Sequence, residues 1–238
     1  MKTDLAKCKK IAEALFDIPM NIIHEFGVVQ HPWISSLVCP TEKMNELSWV
    51  TYEDDNFLDV CRHRMEIQLE SCNSVSSICF YMNKPYRLLY IQQLYKCNCI
   101  SPEDMGVVLQ DIWTTVENIS QDSNLTFIDL VDLFDYADKS TLMSEEDHKV
   151  YEELPDRVTL YRGVNSINMN EINAMSWSTS FETAKWFANR FKDEHSQVWK
   201  IHLPKSKILA YFSTRNEFEC VINPMDIGTI TKIKRIMM

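Results

Sequence analysis

Val158-Thr159-Leu160-Tyr161-Arg162-Gly163, just past Pro155, is where the chain changes character. Val158–Tyr161 is a short β-rich run, and four more follow: Val198–Leu203, Lys207–Phe212, Glu217–Ile222 and Gly228–Ile236. Polar or Pro-containing breaks separate them. One helix interrupts the series: Ala184, Phe187, Ala188 and Phe191 fall on a single helical face, with Thr179 or Ser180 as the cap.

Upstream the texture is helical. Ser144-Glu145-Glu146-Asp147 reads as a capped helix start, and Pro155 bounds that helix. Ser101-Pro102-Glu103-Asp104 is another: a hydroxyl cap, Pro in the first turn, and two acids at the positive end of the helix dipole. Met105, Val108, Ile112, Val116 and Ile119 follow at the spacing of a buried stripe. Arg87–Tyr95 and Phe127–Tyr136 carry weaker helical patterns. The expected fold class is α+β, with a mainly helical region over residues 1–143 and a sheet-bearing region over residues 144–238.

Composition narrows the function. At 45% hydrophobic, 238 residues suffice for one large domain or two small ones with a real core. No run of about 18 apolar residues occurs, so no membrane span is expected. The first ten residues carry charge throughout with no apolar run behind them, which predicts an amphipathic helix and not a signal peptide. On that reading Asn118-Ile119-Ser120 and Asn124-Leu125-Thr126 match the glycosylation sequon by chance. The eight cysteines show no metal-ligand spacing, and reduced thiols in a cytoplasmic protein are expected, with no metal site.

The net charge of −10 lies almost wholly in residues 1–144, which hold 11 basic against 21 acidic residues; residues 145–238 balance at 13 each. The acidic half would repel phosphate backbones, which argues against a general nucleic-acid binder and suits a basic protein partner better. Asp129, Asp132, Asp135 and Asp138, three apart, read as a solvated acidic face and lack the glycine and terminal Glu of a calcium loop. Only four glycines exist, and neither G-x-G-x-x-G nor a P-loop can be built from them.

Three patches carry chemistry. Leu160-Tyr161-Arg162-Gly163 closes a predicted strand, Trp177-Ser178-Thr179-Ser180 runs straight into the predicted helix, and Asn216-Glu217-Phe218-Glu219-Cys220-Val221-Ile222-Asn223-Pro224 contains the last. In a strand, Glu217 and Glu219 would share one face. Two carboxylates held side by side repel, which suits an acid–base or cation-stabilising site and equally a solvated edge strand. Singly, Arg162 is most simply a surface ion-pair partner and Ser178-Thr179-Ser180 a helix cap.

Taken in order, Arg on a first strand, Ser-Thr-Ser on a second and Glu-x-Glu on a later one resemble the R-S-E class of mono-ADP-ribosyltransferases, the clan of cholera toxin and the clostridial binary toxins. The resemblance covers residues 144–236 and looks closest to compact bacterial and phage members. It implies an ADP-ribosyltransferase-like split β-sandwich with flanking helices, NAD⁺ as substrate, and transfer of ADP-ribose to a protein side chain, arginine favoured. By the resemblance, Glu219 would hydrogen-bond the ribose and stabilise the oxocarbenium-like cation left when nicotinamide departs. Glu217 would orient or deprotonate the acceptor, and Ser178 would hold Glu219. Arg162 would grip an NAD⁺ phosphate through its planar fork. Tyr161, Gly163, Thr179, Ser180 and Phe187 complete the expected NAD⁺ site, with Tyr161, Phe181 or Phe187 stacking on nicotinamide.

Because the helix begins at once after Ser180, acceptor recognition is expected on the acidic helical half. The implied setting is the cytoplasm, of a host cell if the protein is a phage or bacterial effector. Two other readings stand beside this one: an NAD⁺ glycohydrolase on the same site, and a binding module that keeps the fold without turnover.

Overall fold

A computed structural model describes residues 1–43, 46–116, 125–168, 174–191, 194–230 and 234–236. The first sequon, with Ile119 of the expected stripe, and Asn124 of the second sequon lie outside the described residues. The chain divides into two compact units, Met1–Glu117 and Asn118–Met238.

The first unit contains helices α1 (Leu5–Ala14), α2 (Phe57–Ser71), α3 (Val75–Tyr81), α4 (Arg87–Lys96) and α5 (Pro102–Ile112). Two hairpins that the sequence pattern did not reveal precede α2: β1 (Asn21–Ile23) with β2 (Val28–Gln30), and β3 (Val38–Lys43) with β4 (Glu46–Thr51). Their burial is poor. Val28, Val38 and Trp49 are exposed, so no clean alternation of apolar and polar residues marks them. The core is helical: Leu88, Tyr90, Ile91 and Leu94 of α4 and Met105, Val108, Leu109 and Ile112 of α5 are fully buried, with α4 packed against α1 and α5 against α3. Ser101 caps α5 as its sequence predicts, its Oγ accepting from the Asp104 amide at 3.1 Å. Asp4 does the same for α1, accepting from the Lys7 amide at 3.0 Å.

The second unit begins with α6 (Phe127–Tyr136), α7 (Lys139–Leu142) and α8 (Glu145–Glu153). The division between units thus falls at 117/118, and not near residue 144, because α6 and α8 pack against a strand of the sheet that follows. That sheet comprises β5 (Arg157–Val164), β6 (Ser176–Ser178), β7 (Gln197–Pro204), β8 (Ile208–Phe212), β9 (Glu219–Ile222) and β10 (Lys234–Ile236). Their order is β10-β7-β5-β6-β9-β8, every neighbour antiparallel. Helix α9 (Phe181–Asn189) lies over β5 and β7, and α10 (Met225–Ile230) follows β9. The protein is therefore a mixed helix-and-sheet molecule, and none of its described helices is long and apolar enough to cross a membrane.

The acids of α6 divide in use. Asp129 forms a reciprocal capping box with Thr126 and Asp138 caps α7, while Asp132 and Asp135 are exposed. The expected acidic face thus shrinks to two residues.

Two strand expectations are corrected. Residues 228–230 end helix α10, so the last strand is only Lys234–Ile236. Glu217 and Phe218 lie outside β9: Arg215, Asn216 and Phe218 take φ of 61°, 58° and 51°, the left-handed region, and form a turn where an extended run was expected. The α9 face is also narrower than its pattern. Ala184 and Ala188 are buried, whereas Phe191 is exposed beyond the helix end.

Candidate active site

The register of the sheet assembles the site. Tyr161 of β5 pairs with Ser178 of β6, and Ser178 pairs in turn with Glu219 of β9. Directly opposed residues in antiparallel strands project to one side, so these three side chains leave the same face in a single rung. Tyr161 also pairs with Lys200 of β7, whose Nζ lies 5.8 Å from the Tyr161 ring centre.

This face is partly roofed by α9. Its approach is set by Gly163, where a Cβ would stand 2.0 Å from the Ala184 carbonyl oxygen and 2.6 Å from the Ala188 nitrogen. Glycine is required there so that helix backbone can rest directly on strand backbone. Gly163, expected as part of the NAD⁺ site, is thus explained by packing. Tyr161 and Phe181 pack beside Ala184, Ala188 and Val198, their rings meeting edge to face at 5.5 Å. Phe187 is half-buried and meets the Trp186 ring edge to face at 5.0 Å.

Glu219 is 9% exposed and Ser178 7%, so both reside in a nearly dry setting. Ser178 was expected to hold Glu219, but its hydroxyl donates at 2.7 Å to the Glu217 carbonyl and accepts from the Ser180 amide at 3.0 Å. The Thr179 amide donates to the Phe218 carbonyl at 3.0 Å. The Ser-Thr-Ser patch therefore clamps the backbone of the turn before Glu219. Ser180 also caps α9, accepting from the Thr183 amide at 3.2 Å.

The side chain of Glu219 is held instead by Ser176, whose Oγ donates to Oε1. Ser176 was missed in the sequence. The signal was its place two residues before Ser178 on a strand, which puts both hydroxyls on the Glu219 face. Arg162 alternates to the other face of β5, opposite Trp199, and its Nη1 donates to the Ser176 carbonyl at 2.9 Å. Arg162 thus braces the residue that holds Glu219.

Glu217 sits at the end of the turn, half-buried. Burial pushes its carboxyl above the ordinary carboxylate value, and the charges of Arg215 and Arg190 pull the other way. The two glutamates are consequently unlike: Glu219 is anchored on a strand by a hydroxyl, and Glu217 stands on a turn near two cations. At the far end of the same turn, the Ser213 amide donates to Asp147 Oδ1 of α8 at 2.9 Å, tying it to the helical layer.

Comparison with protein-family models, with curated proteins and with solved structures finds no match for this chain.

Proposed function

We propose that the second unit is an R-S-E-type mono-ADP-ribosyltransferase that takes NAD⁺ as substrate and transfers ADP-ribose to a protein side chain. The observation that carries the reading is the rung Tyr161–Ser178–Glu219, in which the residue before Arg162, the Ser-Thr-Ser patch and the Glu-x-Glu patch stand side by side on neighbouring strands. The three motifs lie 57 residues apart end to end in sequence, from 162 to 219, and the pairing of β5, β6 and β9 brings them together as a shared site needs.

The sheet supports the same reading. β5 and β7 pair over eight residues, whereas β5 and β6 join at the single pair Tyr161↔Ser178. Three strands thus stand on each side of a one-pair seam, a geometry that suits a split β-sandwich with its cleft at the seam.

In this scheme the ribose of NAD⁺ lies against Glu219. As the nicotinamide bond lengthens, positive charge grows at C1′, and a fixed carboxylate in a dry site stabilises it more than water does. Ser176 fixes the carboxylate and Arg162 fixes Ser176. Ser178 and Thr179 hold the turn that presents Glu217, and a carboxyl raised by burial is a stronger base for the incoming nucleophile. Tyr161 and Phe181 offer ring surface for nicotinamide.

The test is incubation of the full chain with labelled NAD⁺ and a cytosolic extract, beside Glu219→Gln. Label on a discrete protein band, with nicotinamide release falling by about 10²–10³ in the variant, is the expected result. Release without label on any macromolecule would reduce the protein to an NAD⁺ glycohydrolase. Absence of both signals from the folded protein would overturn the reading.

A further inference from the structure

The rung at the site extends one strand beyond Tyr161. Tyr161 pairs with Ser178 on one side and with Lys200 of β7 on the other, so Lys200, Tyr161, Ser178 and Glu219 stand in line across four neighbouring strands and project to one face. An ammonium group closes one end of the line and a carboxylate the other. Neighbouring strands lie about 4.8 Å apart, which separates the backbones of Lys200 and Glu219 by roughly 14 Å. The lysine shortens that gap, since its Nζ lies over the Tyr161 ring, 5.8 Å from the ring centre. Lys200 is half-buried, and among the described residues no carboxylate pairs with it.

The sequence resemblance assigns an NAD⁺ phosphate to Arg162. Strand alternation turns Arg162 to the other face of β5, opposite the buried Trp199, where its Nη1 donates to the Ser176 carbonyl at 2.9 Å. Lys200 is the one cation of the rung itself. NAD⁺ carries its charges in matching order. The ribose carbon where positive charge grows belongs against Glu219, and the negative diphosphate hangs from the 5′ carbon of that same ribose. Laid along the rung, it comes toward Tyr161 and the ammonium held over its ring.

We infer that Lys200 binds the diphosphate of NAD⁺, with the Tyr161 ring as the platform that holds its ammonium in place. This inference rests on the transferase reading above. A bond from Nζ to a diphosphate oxygen is charge-assisted, and it is made equally before and during reaction because the diphosphate does not react. Lys200 therefore serves substrate binding and not the chemical step. With an ammonium over Tyr161, Phe181 is the better of the two rings for the cationic nicotinamide, since like charges repel in a half-buried site.

The experiment measures nicotinamide release by the full chain against NAD⁺ concentration for the parent protein, Lys200→Gln and Lys200→Arg, each checked for a parent-like melting transition. Lys200→Gln is expected to raise KM for NAD⁺ by about tenfold or more, with kcat within about threefold of the parent. Lys200→Arg keeps the charge and is expected to hold KM within about threefold of the parent. Two competitors separate the diphosphate from the rest of the site. ADP-ribose retains the diphosphate and is expected to compete against NAD⁺ about tenfold less well in Lys200→Gln. Nicotinamide lacks it and is expected to compete as it does in the parent.

A KM for Lys200→Gln within about twofold of the parent would overturn the assignment, as would a Lys200→Arg variant no better than Lys200→Gln. Equal weakening of both competitors would overturn it too, by showing that Lys200 shapes the site instead of holding the diphosphate. A parent protein that releases no nicotinamide at all defeats the transferase reading itself, and this inference with it.

Discussion

Ser176 donates its hydroxyl proton to Oε1 of Glu219 across β6 and β9, although the residue paired with Glu219 in register is Ser178. The diagonal contact follows from strand geometry. Residues i and i+2 share a face, so Ser176 and Ser178 both reach the Glu219 side, and the carboxylate of the glutamate extends toward the more distant one. The nearer serine is engaged by the Glu217 carbonyl. Two serines that look alike in sequence thus have separate duties, one on the carboxylate and one on the backbone.

Ser176→Ala should therefore act on catalysis more than on stability. A hydrogen bond to a charged group is worth about 1.5–3 kcal/mol, and its loss frees the carboxylate to swing. Nicotinamide release is expected to fall by about tenfold or more in kcat, with KM for NAD⁺ little changed. Steady-state kinetics with the two parameters separated checks this. An unchanged kcat would show that Glu219 is positioned by other contacts.

Gly163→Ala should unfold or strongly destabilise the second unit. The added methyl would stand 2.0 Å from the Ala184 carbonyl oxygen, and that atom belongs to helix backbone, which cannot rotate aside as a side-chain tip does. Overpacking of this kind costs about 1–3 kcal/mol when the surroundings yield, and more when they are backbone. Urea unfolding of the full chain is expected to show the transition of the second unit shifted to lower denaturant. A transition within about 0.5 kcal/mol of the parent protein would mean that α9 lifts from β5 freely.

His31 gives the first unit a pH dependence of predictable sign. The ring is 1% exposed; its Nδ1 accepts from the Trp33 and Ile34 amides at 3.1 Å each, and Nε2 donates to the Phe16 carbonyl at 3.1 Å. Two amide donors on Nδ1 require the neutral ring with its proton on Nε2. Burial holds the pKa below the ordinary value, with the Phe16 carbonyl opposing. The unfolded chain then takes up a proton first, as pH falls through about 6.5, while the folded ring stays neutral. Stability present above that pH is lost below it, by up to about 1.4 kcal/mol per pH unit until the folded ring protonates. Denaturant melts of the first unit between pH 8 and 5 measure the slope, and His31→Gln is expected to flatten it. A parent slope of zero across pH 6.5–5.5 would show that protonation is accommodated.

How far the sequence foretold this molecule depends on what each residue had to signal. Ser101, Ser144 and Ser180 cap their helices as read, because a cap is a local contact within three residues. The six strands were mostly visible, since apolar alternation reports burial on a sheet face. The hairpins of the first unit were not, because their outward and inward residues are mixed. The site was legible as a set of three patches but not in its internal wiring. Ser176 had no pattern of its own, and the roles of Ser178 and Arg162 depend on the carbonyls of Glu217 and Ser176, distant in sequence, which no spacing rule encodes. Glu217 was misplaced on the strand because Glu-Phe-Glu alternates well. Three left-handed residues in four positions override that alternation, and neither Arg nor Phe advertises such a conformation.

Phe218 supplies the last test, since it separates strain from function. At φ 51° a side chain with a Cβ is strained by about 1–2 kcal/mol, and glycine relieves that cost while adding freedom to the unfolded chain. Phe218 is 37% exposed, so truncation also forfeits part of its burial, which offsets the strain relieved. Phe218→Gly should leave the stability of the second unit within about 1 kcal/mol of the parent. Activity should fall nevertheless, because a glycine between Glu217 and Glu219 loosens the turn that the Ser178 hydroxyl and the Thr179 amide hold. The expected signature is intact melting with kcat for label transfer lowered by about tenfold and nicotinamide release lowered less, since Glu219 keeps its Ser176 contact while Glu217 wanders. Equal losses in both rates would place the strain at the step shared by both, cleavage of the nicotinamide bond.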